Sequence, residues 1–431
     1  MGRRLGIVLL FSGRVRVAGA VLLALWLGLL AAGPARAQTP PPAFRFERAG
    51  ARQARVPFQI QRNLMVVEAT INGQGPFNFM LDTGIGISLI TDPALVRQLN
   101  LQGGAQFLVA GAGEEKPLVA QQITGVHVRL GKTEAPSMSF LALSDDVLNL
   151  SGYVGMPIHG LLGSDVFRSF VVQVQPEQEY VVLHDPARYR VPRGRRWTRL
   201  SLDLEGNKSY LTLPVQVNDT LTLPLKLVLD TGAGHALSLE TTSDPRLRLP
   251  DLRLRTQLGR GLSGDINGYL GRVAALQLGR YRVALPLTSF PDAAAVAHRA
   301  DVPRNGNLGF ELLKRFEMVI DYSRNQLLLR PNRLYKDPFE HDMCGFDVLA
   351  SGPHYRQYRV LRVQAGSPAE QAGLLPGDEI LSINFLPAES LSLTQLSRLL
   401  HSQNGRQIFF IVRRATTGDL HTAVVRLKRQ I

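Results

Sequence analysis

The tripeptide Asp-Thr-Gly stands at residues 82–84 and again at 230–232, each time at the end of an apolar run. Met65-Val-Val-Glu-Ala-Thr-Ile leads to Phe77-Asn-Phe-Met-Leu-Asp82, and Leu211-Thr-Leu-Pro-Val-Gln-Val leads to Leu225-Lys-Leu-Val-Leu-Asp230. Leu161-Leu162-Gly163 follows the first motif and Asn307-Leu308-Gly309 the second, with spacings from aspartate to glycine of 81 and 79 residues. Average residue usage gives about 0.1 such tripeptides in a chain of this length. Two copies in one frame are therefore an internal duplication. This constrains the fold more than any other feature, because a duplicated lobe can bring two equivalent side chains together at a pseudo-twofold axis.

Short apolar runs alternate with Gly, Asn, Asp and Pro turns from about Val56 onward, among them Met65 to Ile71, Phe77 to Leu81, Ile123 to Leu130, Phe170 to Val174 and Tyr180 to Leu183. That spacing predicts a mainly β fold, with two duplicated β-barrel lobes over residues 55–190 and 195–331. A basic break from Val191 to Arg199 separates them and reads as a solvated linker. A third region spans 344–431. In it Ser367 is placed to cap a helix that starts at Pro368 and stops at Gly373, and a second amphipathic helix is expected near Ser392 to His401.

Two carboxylates held close enough to share one proton cannot both ionise, so one stays an acid while the other takes a proton from water. Asp82 and Asp230 are the residues that a duplicated fold would pair in this way. Thr83 and Thr231 carry hydroxyls that can link the two loops. Gly84 and Gly232 permit close backbone approach and offer N–H donors.

These residues resemble the retropepsin-like aspartic peptidases, in the bacterial exported form with a fused PDZ domain. Phe79-Met-Leu-Asp82-Thr-Gly and Val228-Leu-Asp230-Thr-Gly-Ala match the catalytic loops of that family. Leu161-Leu-Gly163 and Asn307-Leu-Gly309 match its hydrophobic-hydrophobic-Gly element, from which Asn307 departs. The resemblance implies an aspartic-type endopeptidase acting on a polypeptide, with no metal and no organic cofactor. It also implies glycine-rich flaps over the cleft, at Gly111 and Gly113 in the first half and Gly259 and Gly261 in the second. In acid-acting relatives a hydroxyl residue follows Asp-Thr-Gly; here Ile85 and Ala233 stand there, so a dyad working nearer neutral pH is expected. Gly366-Ser-Pro-Ala and Pro376-Gly-Asp-Glu-Ile-Leu resemble a PDZ domain, and Cys344-Gly345-Phe346 resembles its carboxylate-binding loop, which implies capture of a peptide C-terminus. An adaptor that binds peptides through this domain, on an inactive peptidase scaffold, stays open as the alternative.

The first 37 residues read as a signal peptide: four arginines, an apolar run from Val17 to Ala32, and an Ala35-Arg36-Ala37 cleavage pattern. Export to the periplasm or beyond is therefore expected, with membrane attachment only if this segment is retained. Residues 38–54 read as a spacer. The formal charge of +14 includes five arginines in the signal segment, so the mature chain carries about +9. With 10 Tyr, 18 Phe and 2 Trp there is no aromatic excess for stacking on nucleic acid, and none is expected as a partner. The single cysteine, Cys344, excludes an intramolecular disulfide. His341 beside Asp342 is too small a group to suggest a metal site.

Overall fold

Apolar and polar residues alternate along Gln53–Gln61, and burial follows them residue by residue, so one face of this strand meets the core and the other meets water. Phe316–Asp321 is buried at every position, because its strand lies inside a sheet covered on both faces. The computed structural model describes residues 43–297 and 302–431. The signal segment expected at 1–37, and the part of the spacer before residue 43, lie outside the described residues. Within the rest of that spacer, Arg45–Phe46 already pairs with Thr133–Leu143.

The chain is mainly β, and the described strands form sheets of fourteen, ten and six strands. The first sheet carries the strands of the first half and then crosses into the second. The crossing is an antiparallel pair between Val171–Gln175 and Phe316–Asp321, in the register Val172 with Ile320, Gln173 with Val319 and Val174 with Met318. In the duplication, residues 172 and 174 correspond to 318 and 320. Exchanging the halves therefore maps this register onto itself, and a local twofold passes by the Gln173–Val319 pair. The basic break is shorter than the sequence implies, since Thr198–Ser201 already pairs with Gln326–Pro331.

A single hydrophobic cluster runs through both halves, with Phe79, Phe140, Phe290, Phe310 and Phe316 fully buried in it. Each such ring contributes about 1.5–3 kcal/mol relative to exposure. Both motifs sit at the ends of strands rooted in this core, which gives their loops a fixed base.

The six-stranded sheet has its own core, which includes Cys344, Phe346, Tyr358 and Phe410. Ser367 caps the helix Pro368–Gln371 through its hydroxyl, and Gly373 takes the left-handed conformation just beyond it, at φ +77°. Ser392 and Gln395 form a capping box on Leu393–Leu400, whose Leu393, Leu396 and Leu400 face inward. This region packs against the first half. A Cβ on Gly152, in the helix Leu150–Val154, would lie 3.0 Å from the Ala350 carbonyl oxygen, and one on Gly155 would lie 2.6 Å from Leu393 Cβ. Thr394 Oγ1 donates to Gln61 Oε1 at 2.5 Å across the same contact.

Candidate active site

Each Asp-Thr-Gly is placed by a parallel strand pair of the same register. In the first half, Gln74–Leu81 pairs with Gly160–Leu162, setting Phe79 opposite Gly160 and Met80 opposite Leu161. In the second half, Thr222–Asp230 pairs with Gly306–Gly309, setting Leu227 opposite Gly306 and Val228 opposite Asn307. The glycine that follows lies directly beneath the Asp-Thr-Gly loop. A Cβ on Gly163 would meet the Ile85 carbonyl oxygen at 2.9 Å, and one on Gly309 would meet that of Ala233 at the same distance. The next residue then holds that carbonyl: Ser164 N donates to Ile85 O at 3.3 Å, and Phe310 N to Ala233 O at 2.7 Å.

The two loops are joined by a reciprocal set of hydrogen bonds. Thr83 N donates to Thr231 Oγ1 at 3.1 Å, and Thr231 N to Thr83 Oγ1 at 3.0 Å. Thr83 Oγ1 donates to the Leu229 carbonyl at 2.6 Å, and Thr231 Oγ1 to the Leu81 carbonyl at 2.9 Å. Both threonines are buried. Each half thus satisfies the other's backbone, and the loops are held as one unit.

Asp82 Oδ1 accepts from Gly84 N of its own loop at 2.6 Å and from Gly232 N of the opposite loop at 3.2 Å. The glycines also approach the opposing carboxylates closely. A Cβ on Gly84 would lie 2.6 Å from Asp230 Oδ1, and one on Gly232 would lie 2.2 Å from Asp82 Cγ. Asp82, Thr83 and Gly84 therefore share one site with Asp230, Thr231 and Gly232. Burial, and next the charge of Asp230, push the Asp82 carboxyl up to about 8, against the lowering pull of Gly84 N–H, Lys208 and Gly232 N–H.

Asp230 has a partner that Asp82 lacks. Asn307 Nδ2 donates to Asp230 Oδ2 at 2.6 Å. The sequence marks Asn307 as a departure from an apolar pattern, but its reach to the carboxylate depends on the strand register and is not legible from composition.

The glycine-rich loops of the two halves meet at their tips. Gly111 N donates to Ser263 Oγ at 3.2 Å, Ser263 N to Ala112 O at 3.0 Å, and Glu115 N to Ser263 O at 2.6 Å. Backbone contact this close explains two of the glycines: a Cβ on Gly113 would lie 2.0 Å from Ser263 O, and one on Gly261 would lie 2.2 Å from Ala112 O. Gly259 sits instead at an irregularity in the hairpin of Leu254–Gly261 and Gly264–Arg272. Leu262 at the second tip packs against a first-half cluster that includes Leu64, Met80 and Leu161. Neither Leu262 nor Ser263 carries a sequence signal beyond its place between glycines.

In the C-terminal region the loop Cys344-Gly345-Phe346 is already engaged. Asp342 Oδ1 accepts from Cys344 N at 2.8 Å, and Asp342 Oδ2 accepts from Gly345 N at 3.0 Å and Phe346 N at 3.2 Å. Burial pushes the Asp342 carboxyl up to about 6, while the Cys344 and Gly345 N–H groups draw it down. Cys344 itself is buried, and its thiol is pushed well above the usual range by that burial. Asp342, read from sequence only as half of a weak metal pair, is thus the ligand of its own loop.

Residues 67–166 match the family model described as aspartyl protease, and residues 359–414 match that of a PDZ domain. The chain accordingly carries an aspartyl protease domain and a PDZ domain. The protease match takes in Asp82-Thr83-Gly84 and Leu161-Leu162-Gly163; the second copy of both elements lies beyond it. Among curated proteins, none matches the chain.

Proposed function

We propose that the chain is an exported aspartic endopeptidase, in which Asp82 and Asp230 together activate a water molecule against a peptide bond. The observation that carries this reading is the Asp82 carboxylate, which accepts N–H groups from both Asp-Thr-Gly loops at once. Such an arrangement is built to hold two carboxyl groups over one proton. Burial and the neighbouring charge favour that proton on Asp82, and we assign Asp230, which accepts from Asn307 Nδ2, as the base.

The steps follow from these roles. Asp230 takes a proton from water as the water oxygen attacks the scissile carbonyl carbon, and Asp82 gives its proton to the carbonyl oxygen. The resulting diol collapses: the C–N bond breaks, its electron pair leaves with nitrogen, Asp230 returns a proton to that nitrogen, and a diol hydroxyl re-protonates Asp82. Substrate lies extended between the halves, beneath the flap tips at Gly111 to Gly113 and Gly261 to Ser263. Export rests on the charged, apolar and Ala-x-Ala order of residues 1–37. The adaptor alternative is disfavoured by the loop at Cys344 to Phe346, whose N–H groups already serve Asp342.

Turnover of an unfolded protein substrate tests the reading. The wild type is expected to cleave it and to be blocked by a statine-type transition-state mimic, while Asp82→Asn and Asp230→Asn each abolish cleavage with little change in fold. A single mutant with near-full turnover would overturn the paired mechanism.

A further inference from the structure

The two halves present equivalent frames to their aspartates, and one position breaks the equivalence. Leu161 lies opposite Met80, and Asn307 lies opposite Val228. Leu161 packs into an apolar cluster with Met80, Leu89 and Ile158. Asn307 places an amide at the corresponding point, where its Nδ2 reaches Asp230 Oδ2 at 2.6 Å. Its other end is unserved: Asn307 Oδ1 is buried and has no hydrogen-bond partner. A buried, unpaired carbonyl is a cost that leucine at this place would avoid. The amide is therefore poorly explained as packing and well explained by what its donor end does.

A carboxylate only accepts, whereas a protonated carboxyl also donates. With Nδ2 toward Asp230 and Oδ1 left over, the amide is oriented for a charged Asp230. The residues directly after the motifs, Ile85 and Ala233, have no side-chain donor to perform this task. Asp82 receives backbone donors from both loops and no side-chain amide.

We propose that Asn307 is a positioning residue that fixes the negative charge of the dyad on Asp230, so that Asp82 is the acid and Asp230 the base. This rests on the reading of the pair as catalytic. The other titratable or charged groups around the pair are Asp82 itself, Lys208, whose ammonium draws the Asp82 carboxyl down, and Tyr322, whose phenol donates to Ser209 and is pushed up by burial and by Asp82. His235 is the other titratable side chain on the loop after Asp230. Lys208, Tyr322 and His235 stay the same when Asn307 is replaced, and Asp82 is affected only through its coupling to Asp230, so a shift in the pH profile reports the amide.

The test is the pH dependence of kcat/KM on a soluble peptide for the wild type, Asn307→Leu and Asn307→Asp. Removing the donor makes Asp230 harder to ionise, so in Asn307→Leu the acid limb moves to higher pH by about one to two units while the alkaline limb stays in place. Asn307→Asp keeps the shape of the side chain and replaces the donor with a third carboxyl; its acid limb is expected to move the same way at least as far. It serves as the second arm where the leucine variant fails to fold, as judged by thermal melting. Profiles that fall by one factor at every pH, with both limbs unmoved, assign Asn307 a packing role and overturn the proposal. A wild type with no turnover at any pH defeats the peptidase reading instead.

Discussion

Leu161 and Asn307 hold the same place in the two halves, each opposite the residue two before an aspartate, yet only Asn307 touches a carboxylate. The backbone frame is duplicated down to the register of its strand pairs, and the reciprocal threonine bonds preserve that symmetry at the loops. Hydrolysis, however, needs one acid and one base. The Asn307 amide adds a side-chain donor on the Asp230 side alone, and so favours the charge there.

The elevated Asp82 carboxyl carries two consequences for pH. In the proposed mechanism Asp82 is the acid and must hold its proton, so kcat/KM is expected to fall as pH rises through about 8. For stability, the folded state keeps the proton that the unfolded chain releases near its ordinary value of 3.8. Between about 4 and 8 the folded state binds more protons than the unfolded, so stability declines with rising pH across that window and levels off above it. Asp82→Asn removes the titration and should flatten that decline. Urea unfolding of both proteins at pH 5 and pH 8 measures it; equal slopes for the two would refute the elevated carboxyl.

Thr83 and Thr231 make the loops one unit, so their removal should be felt as stability as well as activity. Valine has the shape of threonine without its hydroxyl. In Thr231→Val the Leu81 carbonyl loses its donor and the Thr83 N–H its acceptor, both at buried positions. Leaving a buried polar group unpaired costs about 1–3 kcal/mol, so a loss of roughly 2–4 kcal/mol is expected for either single variant. Thr83→Val and Thr231→Val together should cost less than the sum, because they share the Thr83–Thr231 bonds. Denaturant melts of the three variants decide it, and strict additivity would argue against a shared network.

Gly84 and Gly232 are predicted to be intolerant of even one methyl group. The atoms a Cβ would meet belong to the opposing aspartates, at 2.6 Å from Asp230 Oδ1 and 2.2 Å from Asp82 Cγ. Each carboxylate would have to move, and a displacement of about 1 Å near the chemistry costs on the order of a hundredfold in rate. Gly84→Ala and Gly232→Ala should each lower kcat/KM by at least that factor, with Gly232→Ala the more severe. A Gly232→Ala enzyme within tenfold of wild type would contradict the close approach.

The motif pair, the β-rich duplication and the helices at Pro368 and Leu393 are legible in the sequence because each rests on a local signal: an apolar strand before Asp-Thr-Gly, a serine at an N-cap, a glycine beyond a helix end. The roles of Asn307, Leu262 and Asp342 are not, because each depends on a register or a contact set far away in the chain. Asn307 meets Asp230 across 77 residues, and Leu262 packs against a cluster of the opposite half. Asp342 shows a third kind of limit. The Cys344-Gly345-Phe346 loop resembles a site for a foreign carboxylate, and nothing in its own residues reveals that a carboxylate two positions earlier folds back into it.

That self-engagement makes a prediction about the PDZ domain. Three consecutive N–H groups can hold one carboxylate, and here Asp342 supplies it from within the chain. A peptide C-terminus must displace a buried group that already has all three bonds, so the wild type is expected to bind such peptides weakly or not at all near pH 7. Asp342→Ala empties the loop and should create affinity for peptides with a free C-terminus, with no gain for the same peptides amidated at that end. Because burial pushes the Asp342 carboxyl up to about 6, lowering the pH through that value protonates it and weakens its hold. The wild type should then gain some binding near pH 5, while Asp342→Ala shows no such gain. The far end of the domain also bears on the outcome, since Leu393 packs against Gly155 and Ala350 lies close to Gly152 of the protease half. A long peptide is therefore expected to bind no better than a short one, as that helix closes off the strand beyond. Fluorescence titration with labelled peptides of four and ten residues, free and amidated, reads all of these. Tight binding of free C-termini by the wild type at pH 7 would show that Asp342 is readily displaced and is not the resident ligand of the loop.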